Sequence, residues 1–365
     1  MKEREILDRI RAAFPDSGIG DDTAVLPAAA GELLLASDAV VENVHFTRRR
    51  STLSQAIQKA VTSNVSDVYA MGGRPEAILL SAGLPPGCSA EDVDSIVEGL
   101  AVSCGAYGLR LAGGDTVTSP GGYFFDVAIA GSVPAGRAVR RSGARAGDAV
   151  VLLGEIGPSL AGLSLLAAFL GPCVCGGPAL PAPRLRDCAA AGARVRAASA
   201  GLSIATGAAA LRSAAAGLAH IPRVAEMLRF ILRHLAPRAE PAGDTLLGGA
   251  ERAITAMIDV SDGLAKDLRT LCEESGVGAE IDAAALPVPR SIGEIFGLDG
   301  DALVDFALAS GEEYVLLAAV REGALGALPP GAAVVGRFAP AHGGIVLAGP
   351  AGRRPLPPVG YEHSF

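Results

Sequence analysis

No run of lysine and arginine longer than Arg48-Arg49-Arg50 occurs in these 365 residues, and the formal net charge is −8. A nucleic-acid surface needs a concentrated basic patch, so that class of partner is not expected. Nor does net charge attract a phosphate substrate; metal ions or local arginines would have to hold one. Paired zinc spacing is lacking. Cys88, Cys104, Cys173, Cys175, Cys188 and Cys272 are scattered, and Cys173-Val174-Cys175 is a lone C-x-C, which reads as incidental thiols. Met1-Lys2-Glu3-Arg4-Glu5 is charged and no apolar signal region follows it, so a reducing, cytoplasmic setting is expected. A membrane span is not expected. Residues 149–171 contain Glu155 and the breaker Gly157-Pro158, and residues 197–221 are only mildly apolar; both fall short of an uninterrupted span.

Several phosphate and acyl-transfer motifs are also missing: a Walker A loop, the protein-kinase signature set, a nucleophile elbow, and a third glycine after Gly18-x-Gly20. EF-hand spacing is absent as well. A nucleotide site, if present, belongs to a less common architecture.

What is present is apolar and periodic. Half the residues are hydrophobic, and the length suits two domains. Glu3 to Phe14 has helical spacing, as do residues 53–71 and Glu91 to Tyr107. Leu33 to Ser37, Ala77 to Leu84, Leu109 to Ala112 and Phe124 to Val133 read as strands. This alternation predicts an α/β or α+β domain over 1–136. Arg137 to Asp148 reads as a linker. A second α/β domain over 137–365 begins with a strand at Ala149–Leu153 and a helix from Ser159. It resumes at Ala253–Asp259, with a helix over Gly263–Ser275. An Ala/Gly/Arg/Pro-rich segment at about 171–222 breaks the pattern and reads as an insertion.

Five places present carboxylates at glycine-rich or small-residue ends: Gly20-Asp21-Asp22, Ser37-Asp38, Asn64-Val65-Ser66-Asp67, Gly113-Gly114-Asp115 and Asp259-Val260-Ser261-Asp262-Gly263. Asn64 and Asp67 share one helical face. Hard divalent ions want such oxygens and keep several waters, and phosphoryl transfer uses those ions to neutralise phosphates. Each aspartate taken singly is equally compatible with a turn or a cap, and Asp259 and Asp262 suit a cap for the helix from Gly263. His45 reads as structural by default, Glu312-Glu313 as an exposed turn, and Arg140-Arg141 as a solvated linker or a phosphate grip. Tyr107 suits a core position and Tyr361 a packing anchor.

In order along the chain, these motifs resemble the thiamine-monophosphate kinase family, in the ATP-binding superfamily that includes aminoimidazole ribonucleotide synthetase. The resemblance rests on Gly18 to Leu26, Ser37-Asp38 through Phe46, and Asn64-Val65-Ser66-Asp67 with Ala70-Met71-Gly72. It continues through Gly113-Gly114-Asp115-Thr116, Arg141-Ser142-Gly143-Ala144 with Gly147-Asp148, Ile258 to Leu264 with Asp267-Leu268, and Ser310-Gly311-Glu312-Glu313-Tyr314. It covers nearly the whole chain except about 171–222.

The resemblance implies that Asp22, Ser37, Asp38, Asp67, Asp115, Asp259 and Asp262 lie in a Mg2+ cluster. It implies that Tyr107, Gly114, Asp115, Arg141 and Ser261 contact ATP, and that His45, Glu312 and Tyr361 contact thiamine phosphate. The implied reaction is transfer of the γ-phosphoryl group of ATP to thiamine monophosphate, with no side chain acting as general base. The implied fold is a two-domain synthetase-like one, whose N-terminal domains pair in a homodimer through a shared β-barrel. Where the family usually has glycine this chain has Asn43 and Ser310, and Glu313 stands where it usually has aspartate. The longer carboxylate is expected to shift the loop presenting Glu312. A related ATP-dependent enzyme with another small substrate, or a non-catalytic thiamine phosphate-binding protein, are the alternatives.

Overall fold

The computed structural model describes residues 3–14, 31–170, 222–248, 252–350 and 352–362. Strands β1 (Glu32–Val41), β2 (Arg74–Leu84), β3 (Arg110–Thr118) and β4 (Phe124–Val133) form one sheet in the order β1-β4-β2-β3. β4 is antiparallel to both β1 and β2, while β2 and β3 are parallel. A parallel pair needs a crossover, supplied by the helix Ala90–Tyr107 (α3), which follows the helices Glu3–Ala13 (α1) and Leu53–Ala70 (α2) in the chain.

Alternation along β4 explains how this sheet is covered. Phe125, Val127 and Ile129 are buried and pack with Ile57, Val61 and Val65 of α2 and with Leu100 of α3. The opposite face is open: Leu33 and Leu35 on β1 are 60% and 73% exposed. Within one chain the sheet stays open, so the β-barrel that the resemblance implies is not a feature of the single subunit.

α2 is the helix on which the two halves meet. Thr52 starts it, its hydroxyl accepting from Gln55 N at 3.1 Å while Thr52 N donates to Gln55 Oε1 at 2.9 Å. This reciprocal cap satisfies two otherwise orphaned donors. Buried residues occur all round α2, because it lies between the first sheet and a strand of the second.

The second sheet contains β5 (Ala149–Leu153), β6 (Ile254–Asp259), β7 (Val277–Asp282), β8 (Leu316–Val320), β9 (Ala332–Pro340), β10 (Ile345–Gly349) and β11 (Gly352–Pro355). Its order is β11-β10-β7-β9-β5-β8-β6. Every residue of β8 is buried. Leu317 and Ala319 join one core cluster, and Leu316, Ala318 and Val320 join another on the opposite face. A strand covered on both faces reads as a continuous apolar run, as Leu316 to Val320 does.

The remaining helices are α4 (Pro158–Leu170), α5 (Pro222–Leu235), α6 (Asp244–Leu247), α7 (Leu264–Ser275), α8 (Arg290–Phe296) and α9 (Gly300–Leu308). α4, α5 and α8 share a core cluster with Phe306 of α9. The result is a mixed α/β, two-domain architecture.

The expected strand ends are longer than read from sequence. β1 runs through Asp38 to Val41, and β3 through Asp115 to Thr118. Residues 171–221 of the expected insertion lie outside the described residues, while Pro222 opens α5. No helix among the described residues is long and apolar enough to cross a membrane.

Candidate functional site

The carboxylates split into two groups, and strand geometry is the reason. Successive residues of a strand point to opposite faces. Asp38 faces α2, where it is bonded to the Ser63 hydroxyl. Its neighbour Ser37 faces the open side and donates to Asp126 Oδ1 at 2.8 Å.

On the α2 side, Asp38 meets Asp67 and Asp259. Asn64 fixes the local geometry: Asp38 N donates to Asn64 Oδ1 at 3.2 Å, and Asn64 Nδ2 donates to Ala60 O at 2.8 Å. Ser66 Oγ crosses between the sheets to Asp259 Oδ2 at 2.7 Å. Burial pushes the Asp67 carboxyl up to about 8, and Asp259 and Asp38 add to this against Arg141. Burial likewise raises Asp259 to about 6, opposed by the Ser66 hydroxyl and Arg141. Asp38 is raised chiefly by burial, with Asp126 and Asp262 contributing. Close carboxylates with little counter-charge take up protons or a cation.

On the open face, Asp126 pairs in register with Ser81, and Ser81 with Asp115. Asp115 is exposed and its Oδ1 accepts from Thr116 N at 2.8 Å. The structure therefore does not bring Asp115 or Ser37 into the Asp38–Asp67–Asp259 group. Gly114 allows the tight approach of β3 to β2: a Cβ there would lie 1.9 Å from Leu80 O. Asp126 was not singled out from sequence, although a carboxylate inside the apolar strand Phe124 to Val133 is a visible signal. Asp21 and Asp22 lie outside the described residues. Among the described residues no three His, Cys, Asp or Glu side chains converge closely enough to hold an ion.

The loop after β6 is organised by Asp267. Its Oδ2 accepts from the backbone N–H groups of Ser261, Asp262 and Gly263 at 3.1, 3.2 and 3.1 Å. Asp267 thus ties down the start of α7, the role that sequence spacing suggested for Asp259 and Asp262. Asp262 instead pairs with Lys266 Nζ at 2.8 Å. Tyr361 straps this loop: its N donates to Asp262 O at 2.8 Å, and its carbonyl accepts from Lys266 Nζ at 2.6 Å.

Glu312 and Tyr314 adopt φ of 55° and 50°, backbone conformations uncommon for bulky residues. Hydrogen bonds to the Asp259–Gly263 loop hold them, with Glu312 N on Ser261 O at 2.7 Å and Tyr314 N on Val260 O at 2.9 Å. Glu312 accepts from Lys59 Nζ at 2.9 and 2.8 Å. His234 Nδ1 lies 3.3 Å from Glu312 Oε2. Burial pushes Glu312 upward, but Lys59, His234 and His45 outweigh it and hold the carboxyl below its usual range. His45 Nδ1 accepts from Val41 N at 3.0 Å. Tyr314 is buried and its hydroxyl is raised by burial, then by Glu312, Asp259, Asp38 and Asp67. It borders a cleft of about 370 Å3 lined also by Leu153, Arg229, Arg233 and Arg238.

The departures from the family pattern have local explanations. Asn43 has φ 66°, a left-handed conformation that asparagine tolerates nearly as glycine does. Ser310 and Glu313 compensate each other, with Ser310 Oγ donating to Glu313 Oε1 at 2.6 Å. The same oxygen accepts from Gly157 N and Ser159 N at 2.8 and 3.0 Å, at the start of α4. Glu313 is therefore a buried helix-end anchor. Burial raises it to about 7 despite Arg233 and these donors.

Tyr107 joins the two halves: its hydroxyl is 3.0 Å from Thr62 Oγ1 and accepts from Ala239 N at 3.1 Å. Arg141 is exposed, and its charge reaches Asp67 and Asp259. His234 and the arginines of α5 were missed from sequence. The apolar spacing of Val224, Met227, Leu228, Ile231 and Leu235 signals that helix.

Comparison with known proteins agrees with this architecture. Residues 20–133 match the AIR synthase related protein, N-terminal domain, and residues 238–346 match the AIR synthase related protein, C-terminal domain. Thiamine-monophosphate kinase of Mycobacterium tuberculosis is 30% identical over 353 residues, 96% of this chain and 84% of that protein. The crystal structure of thiamine-monophosphate kinase from Stenotrophomonas maltophilia K279a superposes with a TM-score of 0.68 at 28% identity, covering 95% of this chain and 96% of that one. AaThiL complexed with AMPPCP and TMP has a TM-score of 0.68 at 27% identity, covering 100% of this chain and 99% of that one. The chain belongs to the thiamine-monophosphate kinase family, among the AIR-synthase-related proteins.

Proposed function

We propose that this protein transfers the γ-phosphoryl group of ATP to thiamine monophosphate, giving thiamine diphosphate and ADP. The observation that carries the reading is the group of the half-buried Asp38 and Asp67 and the buried Asp259, contributed by β1, α2 and β6 from both sheets. The similar AaThiL chain is complexed with AMPPCP, an ATP analogue, and TMP, which supports a nucleotide and a second phosphate ligand for this chain.

The donor chemistry suits Mg2+ held partly through its own waters. The donors are hard carboxylate oxygens, and burial, with neighbouring carboxylates adding to it, raises the proton affinity of Asp67 and Asp259, a setting that a cation would stabilise. Their spread suits an ion that keeps several waters better than a tight all-protein cage. Asp22, Ser37, Asp38, Asp67, Asp115, Asp259 and Asp262 would hold several ions between them, Ser37 and Asp115 lying on the sheet face opposite to Asp38. When bound, Mg2+ supplies the positive charge that offsets repulsion between two anionic reactants. Ser66 and Asn64 orient the carboxylates, and Arg141 adds charge beside Asp67. Tyr107, Gly114, Asp115, Arg141 and Ser261 are assigned to ATP, and His45, Glu312 and Tyr361 to the acceptor. The acceptor phosphate is largely ionised at neutral pH, its second pKa being about 6. No general base is needed, and the chain's work is positioning and electrostatics.

In this reading residues 1–136 form the nucleotide-binding and dimerisation domain and residues 137–365 the second domain. The exposed Leu33 and Leu35 meet the same face of a second copy, and the two open sheets close together as a barrel. A cytoplasmic location accompanies this metabolic role.

Titration calorimetry tests the acceptor. With AMPPCP and Mg2+ present, thiamine monophosphate is expected to bind at least about 10-fold tighter than thiamine, corresponding to about 1.4 kcal/mol for engagement of the phosphate. Equal affinity for the two would overturn the assignment.

A further inference from the structure

The Glu312 carboxylate is approached by basic side chains from three elements in both halves of the molecule. Lys59, on α2, bonds both of its oxygens. His234, on α5, stands at Oε2, and Ser159 Oγ lies 3.2 Å from the same imidazole nitrogen. His45, in the turn after β1, adds its influence.

Lys59 is not a surface partner. Its side chain is 5% exposed, whereas that of Glu312 is 28% exposed. The ammonium is thus enclosed while the Glu312 side chain is only partly covered. A carboxylate has about four lone-pair sites, and Lys59 takes one on each oxygen, so acceptor capacity remains. His234 is buried, and burial together with Lys59 lowers its pKa to about 3. Glu312 acts on the ring in the opposite direction, and the ammonium that reaches both carboxylate oxygens is that of Lys59. Arg50 acts on the same imidazole.

We propose that Lys59 and His234 are positioning residues that fix Glu312 to receive a hydrogen-bond donor on the acceptor's heterocycle, making Lys59 a determinant of acceptor affinity and not of ATP affinity. The inference rests on the thiamine monophosphate reading and deepens it. The ring amine of the pyrimidine is the donor chemistry such a carboxylate recognises. Because α2 carries both Lys59 and Asp67, one helix sets the acceptor ring and the phosphoryl-transfer region.

The test is a double-mutant cycle on the full chain with Lys59→Met, Lys59→Arg, Glu312→Gln and the double variant Lys59→Met/Glu312→Gln. Lys59→Met is expected to raise KM for thiamine monophosphate about 30-fold or more, the scale for removing one partner of a buried charge pair. KM for ATP should stay within about twofold, since uniform binding of the other substrate is untouched. Lys59→Arg should recover part of the loss. The double variant should match Glu312→Gln alone, because the two residues act as one unit. If Lys59→Met fails to fold, the double variant compared with Glu312→Gln carries the result: equal acceptor KM supports the inference, and a further loss overturns it. A parallel rise in both KM values, or an unchanged acceptor KM, also overturns it. If the parent protein forms no ADP in response to thiamine monophosphate, the functional reading itself fails, a result distinct from any of these.

Discussion

Asp67→Asn is expected to reduce phosphoryl transfer by about 10²–10³-fold or more, the scale for deleting one preorganised electrostatic contact to a transition state. The same change should leave the fold intact or make it more stable. Asp67 sits on α2 facing Asp259 and Asp38, and its carboxyl is pushed up to about 8, first by burial and then by those two neighbours. An ordinary, unfolded aspartate titrates near 3.8. Between these values the folded chain holds a proton that the unfolded chain has released. Stability from this group is therefore fully present below about pH 3.8 and is lost as pH rises towards about 8. Asp267, also raised to about 8 by burial, Asp259 and Asp262, acts in the same direction.

Without metal, the parent should melt at a lower temperature at pH 8 than at pH 6. Asp67→Asn should flatten this trend and melt higher than the parent at pH 8. Mg2+ should reverse the trend in the parent, because a cation that binds the folded state stabilises it and binds deprotonated ligands best. Thermal melts at the two pH values, with and without Mg2+, test both signs. Near-normal turnover in Asp67→Asn, or an unchanged Mg2+ shift, would contradict the role assigned to this carboxylate.

Leu35→Glu is expected to convert a dimer into monomers. Leu35 is 73% exposed and Leu33 60% exposed on the same face of β1, beside Ala130 and Ser132 in register on β4. An open apolar sheet face invites a partner surface. In a two-fold pairing each substitution appears twice, and an unpaired charge buried at an interface costs about 3–5 kcal/mol, or roughly a 10²–10⁴-fold weaker Kd. Sizing with light scattering at micromolar concentration should give a dimer for the parent and a monomer for Leu35→Glu. A parent that is monomeric, or a variant that stays dimeric, would contradict pairing through this face.

Much of the architecture was legible because its signals are local. The apolar spacing of α2 and α3, and the run from Leu316 to Val320, each state a period and a burial pattern. The acidic turns were legible as types but not as a geometry. Ser37 and Asp38 are adjacent in sequence, yet the two-residue period of β1 sends them to opposite faces. Gly114-Asp115 resembles the other acidic turns, but β3 continues through it and leaves Asp115 exposed. The cap of α7 was assigned to Asp259 or Asp262 by proximity. The carboxylate that reaches three backbone donors is Asp267, one helical turn inside.

Other features depend on residues distant in sequence. Lys59 and Glu312 are 253 positions apart, and no spacing rule connects them. Ser310 and Glu313 looked like two separate departures from a family pattern. Their hydrogen bond couples them, and the Glu313 carboxylate accepts from the backbone at the start of α4. α5 was hidden by the low-complexity residues before it, although its own apolar face is regular.

The most direct test of phosphoryl transfer is ADP release by purified protein in Mg-ATP with thiamine monophosphate, with thiamine, and with no acceptor. ADP formed only with the monophosphate, in equal amount to thiamine diphosphate, is the predicted result. Folded protein that binds Mg-ATP but forms no ADP with the monophosphate, or forms as much with thiamine, would contradict the account.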